Sequence, residues 1–126
     1  VTEYKCRNVF RGETIPELKK KIKNIEKNKI IKLHNSGFTK TGLDNLLESL
    51  GVKEIVIIGI NGNACVQDTA ISALNRGYKV TISVGLTASA GRKDMEFSRR
   101  NKEWFLKNTK FFESPSILSS ALKTVN

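Results

Sequence analysis

Residues 54–60 read Glu-Ile-Val-Ile-Ile-Gly-Ile, and the chain then turns through Asn61-Gly62-Asn63-Ala64 into Cys65. A β-branched run bounded by Gly51 and Gly62 is the pattern of a strand, here expected to be buried on both faces. The residues after the turn have helical spacing from Cys65 to Asn75, with Val66, Ala70, Ala73 and Leu74 inward and Gly77 as the stop. A buried strand, a tight turn and a helix make up the repeating unit of α/β folds, so this segment restricts the chain more than any other.

The flanking sequence repeats the alternation. Thr14–Lys27 reads as a helix, with Thr14 and Glu17 at capping-box spacing and Pro16 in the first turn. Lys29–Leu33 is a short strand, and Asn35–Lys40 is a loop. A helix opens at Thr41, carrying Leu43, Leu46, Leu47 and Leu50 on one face. Tyr78–Val84 is the next strand, Gly85–Gly91 a loop, and Asp94–Lys107 a helix. Phe111 and Phe112 form a short strand. Ser114-Pro115 opens a last helix with Ile117, Leu118, Ala121, Leu122 and Val125 inward. Such alternation implies parallel strands joined by right-handed helical crossovers: one α/β domain over residues 1–126, three-layer α/β/α, Rossmann-like, with a mostly parallel sheet. Ligands of such sheets bind at the carboxyl ends of strands, here Leu33–Phe38, Ile60–Cys65 and Gly85–Ser89.

Composition narrows the function classes. The 126 residues are 39% hydrophobic, enough for a packed core. The longest apolar run, Ile55–Ile60, is too short to span a membrane. Two cysteines and no hydrophobic leader imply a reducing, cytoplasmic setting. The net charge of +10 raises a nucleic-acid-binding reading. The lysines are dispersed, however, and no aromatic residues interleave with them as stacking platforms. A solvated basic surface is the expectation. Nucleic-acid binding ranks last and would show itself as affinity falling steeply with salt.

Chemistry has few candidates. Cys65 opens a helix, where partial positive charge favours a thiolate and backbone N–H groups can bind an oxyanion. The alternative is a small buried thiol that packs as a hydrophobe. Lys32 ends the strand before that of Cys65 and can share its pocket, though many surface lysines look the same in sequence. His34 is a base or a polar strand-end residue. It is the only histidine, so a histidine-based metal site is not expected. Gly59-Ile60-Asn61-Gly62 lacks the phosphate-loop patterns, so no nucleotide cofactor is expected.

Two stretches together resemble a known family. Residues 55–70, from Ile55 through Gly59-Ile60-Asn61-Gly62-Asn63-Ala64-Cys65-Val66 to Ala70, with Ala73–Val80 after them, resemble the signature of isochorismatase-like, nicotinamidase-related cysteine hydrolases. Lys32-Leu33-His34-Asn35-Ser36-Gly37-Phe38 resembles that family's lysine segment. Thr2-Glu3-Tyr4, Thr14–Leu18 and Thr109–Leu122 continue the likeness along nearly the whole chain.

The resemblance implies a nucleophilic Cys65, a Lys32 that holds the thiolate and moves protons, and oxyanion binding by the N–H groups of Asn61 and Cys65. It implies a cis peptide between Ile60 and Asn61, and a substrate pocket near Phe38, Asn61, Gly62 and Asn63. The implied reaction cleaves a C–N bond of a small amide or carbamoyl compound through a Cys65 thioester, with no cofactor and no metal. The implied assembly is a homo-oligomer. The family's catalytic aspartate is expected on a strand preceding Val1, since Asp44, Asp68 and Asp94 fall in helices. Gly62 stands where the family has threonine, and Val84-Gly85 where it has an acidic residue. These departures motivate the alternative of a catalytically impaired relative acting as a binding or assembly protein. No role is assigned to Cys6.

Overall fold

The computed structural model describes residues 2–4, 14–89 and 99–112. In chain order the elements are β1 (Thr2–Tyr4), α1 (Pro16–Lys19), β2 (Ile30–Lys32), α2 (Leu43–Ser49), β3 (Glu54–Ile60), a π-helical turn (Gly62–Val66), α3 (Gln67–Asn75), β4 (Lys79–Ala88), α4 (Arg99–Asn108) and β5 (Lys110–Phe112). Every recorded strand pairing is parallel: β1 with β2, and β3–β4–β5 in that order. The expected α/β architecture, parallel strands flanked by helices, is the one found. The last helix expected after Ser114 lies outside the described residues, as do Cys6 and Asp94.

The core lies between the β3–β4–β5 sheet and α3. Val66, Ala70 and Ala73 meet Val80 and Ile82 there, with Phe38, Tyr78 and Phe105 in the same cluster and Ile55 and Ile57 packed against it. Alanines at positions 70 and 73 bring the α3 backbone close to the sheet. Trp104 and Phe105 stack edge to face at 5.1 Å between ring centroids.

Several expectations are corrected. The helix over Thr14–Lys27 shrinks to Pro16–Lys19, followed by turns, with Asn24 at φ 54°. Its apolar stripe buries no residue in α1, and a short helix without packing has little to hold it. Ile15, not Thr14, is the N-cap, and no side chain caps it. The opening residues form a strand that propensity missed, because three residues carry too little pattern. The strand expected to end at Val84 runs on to Ala88. Ile57 pairs with Ile82, whereas Gly59 pairs with Thr87, so β4 bulges and then rejoins its partner. The Thr87 hydroxyl donates to the Ser83 carbonyl at 2.8 Å across this bulge.

β3 is not buried on both faces either. Ile55 and Ile57 pack inward, whereas Val56, Ile58 and Ile60 are 40%, 51% and 67% exposed. The inward face has α3 against it; hydrophobicity alone did not say whether a second layer covers the other. Among the described residues no helix is long and apolar enough to cross a membrane.

Candidate active site

The carboxyl end of β3 builds the first half of the site. Gly59 takes φ 129°, a value that side-chain-bearing residues rarely adopt, and the peptide from Ile60 to Asn61 is cis. Asn61 is extended, and its carbonyl accepts from Ala64 N at 3.1 Å and Val66 N at 2.9 Å. The helix therefore begins as a π turn at Gly62, three residues earlier than the spacing suggested. Cys65 lies inside that turn rather than at its first residue. Its N–H falls between the two that close on Asn61, still among the N-terminal N–H groups where the helix is partially positive. Gly62 and Val66 are buried and anchor the turn, leaving Cys65 partly exposed.

The second half is the loop after β2. Lys32 is 5% exposed, and a buried ammonium must find acceptors. Its Nζ donates to the carbonyls of His34 at 3.1 Å and Asn35 at 2.8 Å, curling the loop around the charge. The loop is then tied to α3: Ser36 Oγ donates to Ser72 Oγ at 2.8 Å, and Gly37 N to Thr69 Oγ1 at 3.0 Å. Gly37 is closely approached: a Cβ there would stand 3.2 Å from Thr2 Cγ2 and 3.4 Å from Leu43 Cδ2, so the Thr2 side chain would have to give by a few tenths of an ångström.

Two residues join the halves. Thr69 Oγ1 accepts from Gly37 and donates to the Cys65 carbonyl at 2.7 Å. Asn35 holds Lys32 by its backbone carbonyl, while its Oδ1 accepts from Cys65 Sγ at 3.8 Å. Lys32 and Cys65 thus stand at the two ends of one residue. Neither Asn35 nor Thr69 stands out in the sequence; Thr69 lies one helical turn after Cys65, and that spacing was the available signal.

The other expected residues separate. Asn61 is half-buried, Gly62 buried and Asn63 exposed in the turn. Phe38 is 3% exposed in the core, 5.9 Å from the Tyr78 ring and with the Arg76 guanidinium 4.7 Å from its centroid. The chain reaches the core at Phe38 because the Gly37 and Ser36 bonds turn it inward. His34 is exposed and lines an open depression of about 530 Å³ with Asn35, Asp68, Ile71 and Ser72. Asp44 binds Arg76 Nε at 3.1 Å and accepts from Tyr78 Oη at 3.0 Å. Burial raises the Tyr78 phenol above its ordinary range, and the Asp44 carboxylate adds to the rise. Ser89 follows Ala88, the partner of Ile60; its hydroxyl is fully buried with no hydrogen-bond partner among the described residues. No cluster of three metal-ligating side chains occurs among the described residues.

A sequence profile described as the Isochorismatase domain matches residues 5–107. The chain is 44% identical over 69 residues to an uncharacterized isochorismatase family protein, YaaI, of Bacillus subtilis, covering 55% of this chain and 38% of that protein. It is 43% identical over 54 residues to nicotinamidase 3 of Arabidopsis thaliana, covering 43% of this chain and 27% of that one. The chain thus spans less than half the length of these curated relatives. Among solved structures it is similar to an isochorismatase-like hydrolase from Alkaliphilus metalliredigens, with TM-score 0.77 and 26% identity, covering 94% of this chain and 69% of that one.

Proposed function

This chain belongs to the isochorismatase family, and from that premise we propose that it carries the lysine and cysteine of a cysteine hydrolase that cleaves a C–N bond of a small amide or carbamoyl compound. One observation carries the reading: Lys32 Nζ and Cys65 Sγ, from two different strand ends, converge on the backbone and side chain of Asn35. Lys32 is buried, and Cys65 is partly exposed in the first turn of a helix, which leaves its sulfur open to a substrate carbonyl.

In this reading Cys65 Sγ attacks the carbonyl carbon. The oxygen becomes an oxyanion received by the N–H groups of Asn61 and Cys65. The C–N bond breaks, and the thiol proton leaves with the nitrogen, handed on through Lys32. Water then cleaves the thioester and releases the acid. The relative named as a nicotinamidase supports an amide as the substrate class.

The test is ammonia release from a panel of small amides and carbamoyl compounds that includes nicotinamide. Cys65→Ala is expected to lose about 100-fold or more of the turnover. Turnover equal to that of the parent protein would rule the reading out.

A further inference from the structure

We propose that Thr69 is a positioning residue: its one hydroxyl ties the loop that holds Lys32 to the backbone of Cys65. The inference rests on the reading of Lys32 and Cys65 as the working pair of the site, and it adds what keeps the two in place relative to each other.

A threonine within a helix can donate to the carbonyl four residues earlier. Thr69 does so, to the Cys65 carbonyl at 2.7 Å. Alone, that bond would concern only the helix. Gly37 makes it more. Gly37 is buried, so its N–H must find an acceptor, and Thr69 Oγ1 is that acceptor at 3.0 Å. A hydroxyl has one proton and two acceptor sites. With the proton committed to Cys65, the lone pairs of Oγ1 point away from that carbonyl, and one of them receives the Gly37 N–H. The chain from Gly37 N–H through the Thr69 hydroxyl to the Cys65 carbonyl therefore runs in one direction, and each bond polarises the next.

Neighbouring contacts extend the tie to the lysine. Ser36 and Phe38 are buried on either side of Gly37, and Phe38 N donates to Ser36 Oγ at 3.2 Å. The Asn35 carbonyl, on the residue before Ser36, accepts from Lys32 Nζ at 2.8 Å. The short buried stretch held by Thr69 thus continues directly into an acceptor of the ammonium. The bond from Ser36 Oγ to Ser72 Oγ fastens the same loop to α3, but it does not include Cys65.

The test compares Thr69→Val, which keeps the shape and removes the hydroxyl, with Thr69→Ser, which keeps the hydroxyl. Backbone amide exchange is followed by mass spectrometry in the peptides that carry residues 33–38 and in those of β4. In Thr69→Val, exchange over 33–38 should quicken by about tenfold, and by more than in β4, while Thr69→Ser stays near the parent. For an amide that the parent turns over, kcat should fall by about tenfold in Thr69→Val with KM within about twofold, and Thr69→Ser should recover it. If Thr69→Val does not fold, Thr69→Ala reads the same quantities. Exchange over 33–38 that is unchanged, or that rises no more than in β4, overturns the proposal. So does an unchanged kcat where Cys65→Ala abolishes turnover. Turnover that survives Cys65→Ala removes the reading of Cys65 instead, and the exchange comparison then decides the tie alone.

Discussion

Two segments meet at the candidate site, and different forces hold them. The Cys65 turn is placed by backbone conformation and by the core: Gly59 at positive φ, and buried Val66 and Ala70. The Lys32 loop is placed by polar contacts: carbonyls around the ammonium, Ser36 on Ser72, and Gly37 on Thr69. The first kind of support is insensitive to charge and solvent. The second depends on every donor finding its acceptor. The cysteine therefore depends on apolar packing, and the lysine on a set of hydrogen bonds.

Four outcomes order this contrast by size. Val66→Ala should be the most costly, about 2–3 kcal/mol in urea unfolding, because two buried methyl groups leave a cavity under the cysteine. Thr69→Val keeps the volume but strips the Gly37 N–H of its acceptor, and should cost about 1–2 kcal/mol. If Thr69→Val costs more than Val66→Ala, the contrast is reversed. Tyr78 sharpens it through pH. Its folded-state pKa is raised, so the stability it contributes is full below the unfolded value, about 10, and is lost as pH rises through the folded one. Thermal unfolding from pH 8 to 11 should show that fall in the parent chain and less of it in Tyr78→Phe. Ile58→Ala should have the smallest effect, below about 0.5 kcal/mol, because that side chain lies on the exposed face of β3. A large loss there would mean that the face is covered in solution.

Much of the fold could be read from sequence where pattern was long or chemistry unusual. The run from Glu54 to Ile60 gave a strand with those same bounds. Leu43, Leu46 and Leu47 announced α2. Lys32 and Cys65 stood out only together, through the resemblance of their two segments to a known family. What was hidden depended on partners. Thr2–Tyr4 becomes a strand only by pairing with Ile30–Lys32. Residues 85–88 look like a loop until Thr87 and Ala88 re-pair with β3. Phe38 shows in sequence only as an aromatic after a loop, and its place in the core depends on neighbours distant in the chain. Asn35 and Thr69 were hidden because each matters by joining two neighbours, Asn35 through its carbonyl and its Oδ1, Thr69 through its one hydroxyl.

The most direct measurement is acid-quenched mass spectrometry of the protein during turnover of an amide, with the Cys65 peptide isolated. The expected result is an added mass equal to the acyl group on Cys65, absent from Cys65→Ala. Steady turnover with no acyl adduct on Cys65, undiminished in Cys65→Ala, would contradict a nucleophilic role for this cysteine.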